Sequence, residues 1–312
     1  MDGLLIVDKP AGITSHEVVA RMRRTLGERR IGHTGTLDPA ATGVLPLVLG
    51  RATRLARFLS AGDKAYEAVV RLGRSTDTRD AEGAVIGLPY DGPLPSHEEI
   101  EQALDAFRGT FVQQPPAYSA KKVDGQRSYV LARRRARGGT ASASGEATVD
   151  AEPRELPAAV SVTTHSIQLL ACQGPDVTLR VACSAGFYVR SLAHDLGERL
   201  RTGAHLVALR RTRSSDLTLN QAVPLEELER DPSRAREALI PLAHMLPALS
   251  SVTLTPDGVR HATQGRNLGN ADFAGVVAPA PWLRLVDPDG SLIGLATPVE
   301  ASGLLHPSVV LV

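Results

Sequence analysis

The chain has 312 residues and is 43% hydrophobic, enough to bury a sizeable core and to form two domains. Its two cysteines, Cys172 and Cys183, form no C-x-x-C pair and have no nearby histidine spacing, which argues against a structural zinc site and a disulfide framework. Net charge is only +1, but residues 1–60 hold nine Lys/Arg against five Asp/Glu, residues 120–140 seven against one and residues 180–213 seven against two, while residues 214–312 reverse the sign at six against eleven. Three blocks could therefore build a positive face that attracts phosphates.

In chain order, Gly3–Val7 reads as a strand, and Lys9-Pro10 with Gly12 as a loop. Thr14-Ser15-His16-Glu17 fits a capping box that opens a helix, with Val18, Val19, Met22 and Leu26 at helical spacing and Gly27 as the stop. Residues 31–42 read as a loop dense in groups able to do chemistry. Val44–Leu49 is apolar, but Pro46 suggests an edge strand or an irregular stretch. Tyr66, Ala68, Val70 and Leu72 alternate as a half-buried strand. Ser96-x-x-Glu99 opens a second helix carrying Ile100, Ala103, Leu104 and Phe107. A helix is expected over Ser128–Arg137, and residues 138–159, rich in Ala, Gly, Ser, Thr and Glu, read as a flexible insertion. Val177–Cys183 alternates as a strand, and Leu192, Leu196 and Leu200 mark a helix face. Both cysteines are expected as buried small hydrophobes. Beyond a boundary near residue 250, Trp282–Val286 and Leu292–Ala296 flank Asp287-Pro288-Asp289-Gly290, a hairpin in a small β-rich module.

No P-loop, no dinucleotide fingerprint and no zinc-hydrolase or deaminase motif occurs, so no nucleotide cofactor and no metal is expected. No run of about eighteen apolar residues occurs and MDGLLIVDKP is not a signal peptide, so the chain reads as soluble and cytoplasmic, with no membrane partner.

The segment GHTGTLDPAATGVL, residues 32–45, is the most informative. Taken by itself, an Asp before Pro is a turn former. The segment resembles the signature of the pseudouridine synthase family that modifies the T-loop of tRNA, the TruB type. Other stretches agree in the order that family uses: Asp8-Lys9-Pro10 with Gly12 and Thr14-Ser15; Asp63-Lys64-Ala65-Tyr66 with Leu72-Gly73; Thr76-Asp77-Thr78 with Asp80 and Gly83; Pro115 to Lys122 with Gly125; Cys183 to Leu192 with Asp195-Leu196-Gly197; and Gly203-Ala204-His205 with Leu209-Arg210-Arg211. Two departures stand out. Phe187 sits where a threonine is usual, and the region around 138–155 lacks the R-x-[IV] strand start of the family.

The resemblance implies an α+β pseudouridine synthase catalytic domain with a mixed, mostly antiparallel sheet at 1–249. A small β-rich, PUA-like RNA-binding domain would follow at 250–312. It implies tRNA uridine-55 isomerisation by base flipping, with the T-arm of tRNA as partner; a monomer is the default. The catalytic residues it implies are Asp38, Tyr66 and Arg190. Asp38 would attack C1′ or C6 as a nucleophile or remove the C2′ proton as a base, and the sequence leaves the three routes open. Arg190 would pair with Asp38, and Tyr66 would stack on uracil and take the C5 proton. His33, Tyr188, Leu209, Lys9 and Thr36 are the implied substrate-side residues. Of these, Leu209 resembles an apolar lid, with helix packing as its plain alternative, and Lys9 with Pro10 supports the catalytic loop. Arg23, Arg24, Arg29, Arg30, Arg133 and Arg134 are candidate phosphate contacts. Rival readings are the same chemistry on another RNA, an RNA-binding or tRNA-folding protein with incidental catalysis, and an enzyme acting on a small uridine compound.

Overall fold

The computed structural model describes residues 1–117, 157–275, 279–300 and 302–311, together with the backbone of 122–123 and 126–127. The expected helix at 128–137, the insertion up to residue 156, residues 118–121, Gly125, and with them Arg133 and Arg134, lie outside the described residues. The chain forms two compact units, one of Met1–Gly62 with Ser214–Val312 and one of Asp63–Arg213.

In the first unit, β1 (Gly3–Lys9) runs antiparallel to β3 (Thr42–Leu49) in a register that puts Gly3 opposite Leu49 and Lys9 opposite Gly43. Between them in sequence lie α1 (Ser15–Leu26) and β2 (Ile31–His33), which pairs with Leu47–Leu49 of β3. Residues 31–33 are thus a strand, not loop, because β3 supplies their backbone partners. Pro46 stands inside β3 opposite Ile6. It is tolerated there because its carbonyl accepts Thr34 N–H at 3.1 Å. Its nitrogen therefore faces the same side, just past the last β2 pair, and only the reciprocal bond to Thr34 is forfeited. Helix α1 starts as expected, with Thr14 Oγ1 accepting Glu17 N–H at 3.0 Å, and ends at Gly27 in the left-handed region (φ 64°). The Glu17 carboxylate accepts from Arg21 at 2.9 Å instead of completing the capping box. A short helix, α2 (Ala56–Ser60), closes this stretch.

The second unit contains β4 (Lys64–Leu72), β5 (Ser75–Thr76), β6 (Val85–Ile86), α3 (His97–Leu104), β7 (Gly109–Gln113), β8 (Lys122–Val123), β9 (Gln126–Arg127), β10 (Val160–Gln173), β11 (Asp176–Cys183), α4 (Val189–Leu200) and β12 (Ala204–Ser214). Its main sheet runs in the order β12-β4-β11-β10-β7. Tyr66, Ala68, Val70 and Leu72 are buried and their neighbours are not, the period-two pattern of a strand with one covered face. Helix α4 buries Leu192 and Leu196 and packs against α3 and β4. The full capping box of α3 is present, Ser96 Oγ accepting from Glu99 N and Glu99 Oε2 from Ser96 N. Cys183 is buried, but Cys172 is exposed. It lies one residue from the end of β10, past an irregularity at Leu169–Ala171 that upsets the alternation.

The chain re-enters the first unit through β13 (Leu217–Thr218), β14 (Val223–Pro224), α5 (Leu225–Arg230), α6 (Ser233–Glu237) and β15 (Ile240–Pro241). The tail then forms a second sheet from β16 (Ser251–Leu254), α7 (Pro256–Thr263), β17 (Phe273–Ala274), β18 (Leu283–Val286), β19 (Leu292–Pro298) and β20 (Leu305–Val310), ordered β17-β16-β18-β19-β20. The expected hairpin joins β18 to β19, its turn closed by Gly290 N–H donating to Asp287 O at 3.0 Å. One apolar cluster joins Leu4, Val48, Leu55 and Met245 to Leu292, Leu295, Val309 and Leu311 of the tail. At its rim, Trp282 stacks edge-on against Phe58 at 4.8 Å, under the Arg57 guanidinium. The tail therefore shares a core with the first strands. β14 on β1 and β18 on β16 are parallel, while β1 with β3, β2 with β3, β4 with β11, β10 with β11 and β7, and β19 with β18 and β20 pair antiparallel, so the fold is α+β with mixed, mostly antiparallel sheets, as expected. No helix among the described residues is long and apolar enough to cross a membrane.

Candidate active site

The first unit carries Asp38 on the irregular stretch between β2 and β3. Asp38 O accepts Ala41 N–H at 3.1 Å, and Pro39 sets φ at the second position of that turn. Two side chains reach in from elsewhere to hold the backbone on either side. Ser15 Oγ, buried at the first position of α1, accepts Leu37 N–H at 2.8 Å and donates to Leu37 O at 3.0 Å. Lys9 is 0% exposed and donates through Nζ to Pro10 O (2.8 Å), Pro39 O (3.1 Å) and Ala41 O (2.7 Å). A buried ammonium with its protons directed at carbonyls acts as a staple. Gly12 N–H adds a bond to Pro39 O at 2.9 Å. Leu37 is buried, Asp38 half-buried and Thr36 exposed. His33, at the end of β2, meets His16 edge-on at 5.1 Å.

The second unit carries the other implied residues. Tyr66 is 9% exposed on β4, opposite Val181 of β11. Arg211 of β12 is 1% exposed and hydrogen-bonds the Tyr66 side chain. Burial pulls the Arg211 guanidinium below its usual range, and charge attraction to Tyr66 and the hydrogen bond it donates to Tyr66 oppose that fall. Leu209 is half-buried two residues before Arg211, hence on the same face of β12. It stands on a strand, so the helix-packing alternative does not apply. Lys64 and Cys183 lie directly opposite on β4 and β11. Burial, then the Arg211 charge, lowers Lys64, while burial pushes the Cys183 thiol up to about 12 and keeps it protonated.

Arg190 is 7% exposed in the first turn of α4. Its Nη1 lies 3.3 Å from Asp80 Oδ2 and donates to Thr78 O at 3.3 Å. Asp80 is itself fixed, its Oδ1 accepting from Thr78 Oγ1 (2.6 Å) and from Glu82 N–H (3.1 Å). A Cβ at Gly83 would stand 2.3 Å from Thr78 Oγ1, so only glycine permits this turn. Tyr188 is half-buried at the N-cap of α4. The sequence reading missed three supporting residues, Ser15, Asp80 and Arg211. Each lies in a stretch that carried the resemblance, but nothing in spacing told which partner it meets. Among the described residues, no group of three or more His, Cys, Asp or Glu side chains could hold a metal ion.

A solved H/ACA ribonucleoprotein, bound to a substrate RNA containing 2′-deoxyuridine, shares the fold with a TM-score of 0.71 at 25% identity, over 99% of this chain and 85% of that one. Residues 23–189 match the N-terminal domain of the TruB family of pseudouridylate synthases, and residues 190–247 match the tRNA pseudouridylate synthase B C-terminal domain. The tRNA pseudouridine synthase B of Solibacter usitatus is 42% identical over 313 residues, 100% of either chain, and that of Thermobifida fusca 42% identical over 312 residues, 99% of this chain and 98% of that one. The chain belongs to the TruB family of pseudouridylate synthases.

Proposed function

We propose that this protein isomerises uridine-55 in the T-loop of tRNA to pseudouridine. The observation that carries the reading is the twice-anchored turn that presents the Asp38 carboxylate, in a chain whose relatives are named tRNA pseudouridine synthase B. The reaction breaks the N1–C1′ bond, rotates the uracil, joins C5 to C1′ and moves one proton from C5 to N1. It needs neither a redox partner nor a donated group. The uridine is flipped out of its stack to reach Asp38. Arg190 pairs with Asp38 and keeps it charged, with Asp80 holding the guanidinium in place. Tyr66 stacks on the base and takes the C5 proton, and the Arg211 guanidinium at its hydroxyl favours a negative oxygen there. Tyr188 and Leu209 shape the base pocket, Lys9 holds the Asp38 turn, and His33 and Thr36 grip the T-loop. Residues 250–312 form the PUA-like RNA-binding module. The enzyme acts as a cytoplasmic monomer without metal or nucleotide.

The test is incubation of the purified protein with unmodified tRNA and with an isolated T-arm hairpin, followed by mapping of pseudouridine. Product at the T-loop uridine alone is the expected result. Product at other sites, or none at all, overturns the assignment.

A further inference from the structure

Between β7 and α4 lies a buried amide that the roles above do not use. Gln113 is 1% exposed at the last position of β7. Its Nε2 donates to Tyr188 O at 3.1 Å, and its Oε1 accepts Tyr188 N–H at 2.8 Å. One side chain thus satisfies both backbone groups of one residue, as a neighbouring strand would. The two bonds also fix which end of the amide is oxygen. Tyr188 needs the help. It caps α4 with an extended backbone (φ −113°, ψ 110°) and has no side-chain cap bond, so its own hydroxyl plays no part in starting the helix. Its carbonyl also accepts Leu192 N–H, 3.1 Å away, as the first helical bond.

The next residue of the chain holds the other side of the same helical turn. Gln114 O accepts Ser191 Oγ at 2.7 Å and Arg79 Nη1 at 3.1 Å, and Ser191 is fully buried. Arg190 lies between the two points so held. One strand position earlier on the face of Gln113, Phe111 meets Phe187 edge-on at 6.2 Å. Phe187 is the residue that departs from the family pattern. It is 8% exposed, so the extra aromatic volume is absorbed by the Phe111 contact rather than turned outward.

We infer that Gln113 is a positioning residue: it fixes Tyr188 and, through the start of α4, the direction of the Arg190 guanidinium. The inference rests on the proposed uridine chemistry for its readout, not for its geometry. Burying an amide is costly unless both ends are bonded, and an apolar side chain would fill the same space. What the amide adds is a fixed distance from β7 to the residue before Val189-Arg190. A displacement of about 1 Å at a reacting group can cost on the order of 100-fold in rate.

Gln113→Glu separates positioning from simple packing. The variant keeps length and shape and still accepts from Tyr188 N–H. Ionised, it cannot donate to Tyr188 O; protonated, it can. Burial raises a carboxyl group's pKa, so protonation falls in an accessible pH range. Single-turnover rates for the variant and the parent, each at saturating tRNA, are compared from pH 5.5 to 8.5. The variant-to-parent rate ratio is expected near 0.01–0.1 at high pH, rising severalfold or more on acidification, with tRNA affinity changed by less than about threefold. A ratio that stays flat with pH in a protein that melts like the parent overturns the inference. Gln113→Met, which removes both bonds and retains bulk, covers a Glu variant that fails to fold. A loss in rate with affinity retained supports the inference, and parent-like turnover overturns it. An inactive parent, by contrast, sinks the proposed function and leaves these ratios undefined.

Discussion

Asp38 and Tyr66 are held in opposite ways. Asp38 stands on irregular backbone, and side chains from distant positions, Ser15 and Lys9, bond the chain on either side of it. Tyr66 stands inside a strand paired to β11, so the ladder fixes its backbone and its neighbour Arg211 acts on the hydroxyl alone. A reactive group on a loop must be positioned by others. A reactive group on a regular element is positioned by default and can be tuned. Substitutions around Asp38 should therefore act through geometry, and those around Tyr66 through charge.

The comparison breaks first at Asp38. Asp38→Asn keeps the shape and loses the charge, so single-turnover product should fall below detection while tRNA affinity stays near that of the parent. Clear product formation would remove the carboxylate from the chemistry. Next comes Tyr66→Phe, expected to slow turnover by about 10²–10⁴-fold, the usual contribution of a positioned general base. Affinity should hold, since the ring remains and base–aromatic stacking is worth roughly 1–3 kcal/mol. Arg211→Met should cost part of the same effect and add little on top of Tyr66→Phe, because the two share one hydrogen bond. Full additivity in that double-mutant cycle would separate Arg211 from the tyrosine.

Smaller effects are expected at the anchors of Asp38. Lys9→Met removes the ammonium bonds to three carbonyls, leaving Pro39 O its bond from Gly12 N–H, and the loosened turn should lower the rate by roughly 10–100-fold with affinity intact. A parent-like rate would mean that the turn holds itself. Ser15→Ala removes both bonds to Leu37, and urea unfolding should show a loss of about 1–3 kcal/mol for the buried groups left unpaired. Its rate loss should be less than that of Lys9→Met. The smallest expected change is none at all: turnover in EDTA should match turnover without it, once the tRNA is folded. A divalent requirement in the chemical step would contradict side-chain catalysis.

What could be read from the sequence follows the same division. Strands and helices with a clear period or cap, such as Lys64–Leu72, Ser96 with Glu99 and the Asp287–Gly290 turn, stand where the pattern puts them. Asp38 stood out as a candidate because its motif is contiguous. Asp80, Arg211, Ser15 and Gln113 were not, because each acts on a residue between 22 and 145 positions away, and spacing along the chain says nothing about such pairs. Pro46 misled because a proline costs a strand only the bond its own nitrogen would donate, and here that is the single bond back to Thr34 at the end of β2. Cys172 misled because apolar neighbours in sequence do not reveal that the strand there has run past its core.

The core that Leu4 and Val48 share with Leu292, Leu295, Val309 and Leu311 also sets an order of events at the ribosome. At roughly 5–20 residues per second, the first strand emerges on the order of tens of seconds before the residues that cover it exist. Asp63–Arg213, whose compact unit is one unbroken stretch, can close in that interval. The segment around Leu4 and Val48 meanwhile carries an apolar face with no lid, the kind of surface that invites aggregation or a chaperone. A strand made well before its cover is among the last to be covered.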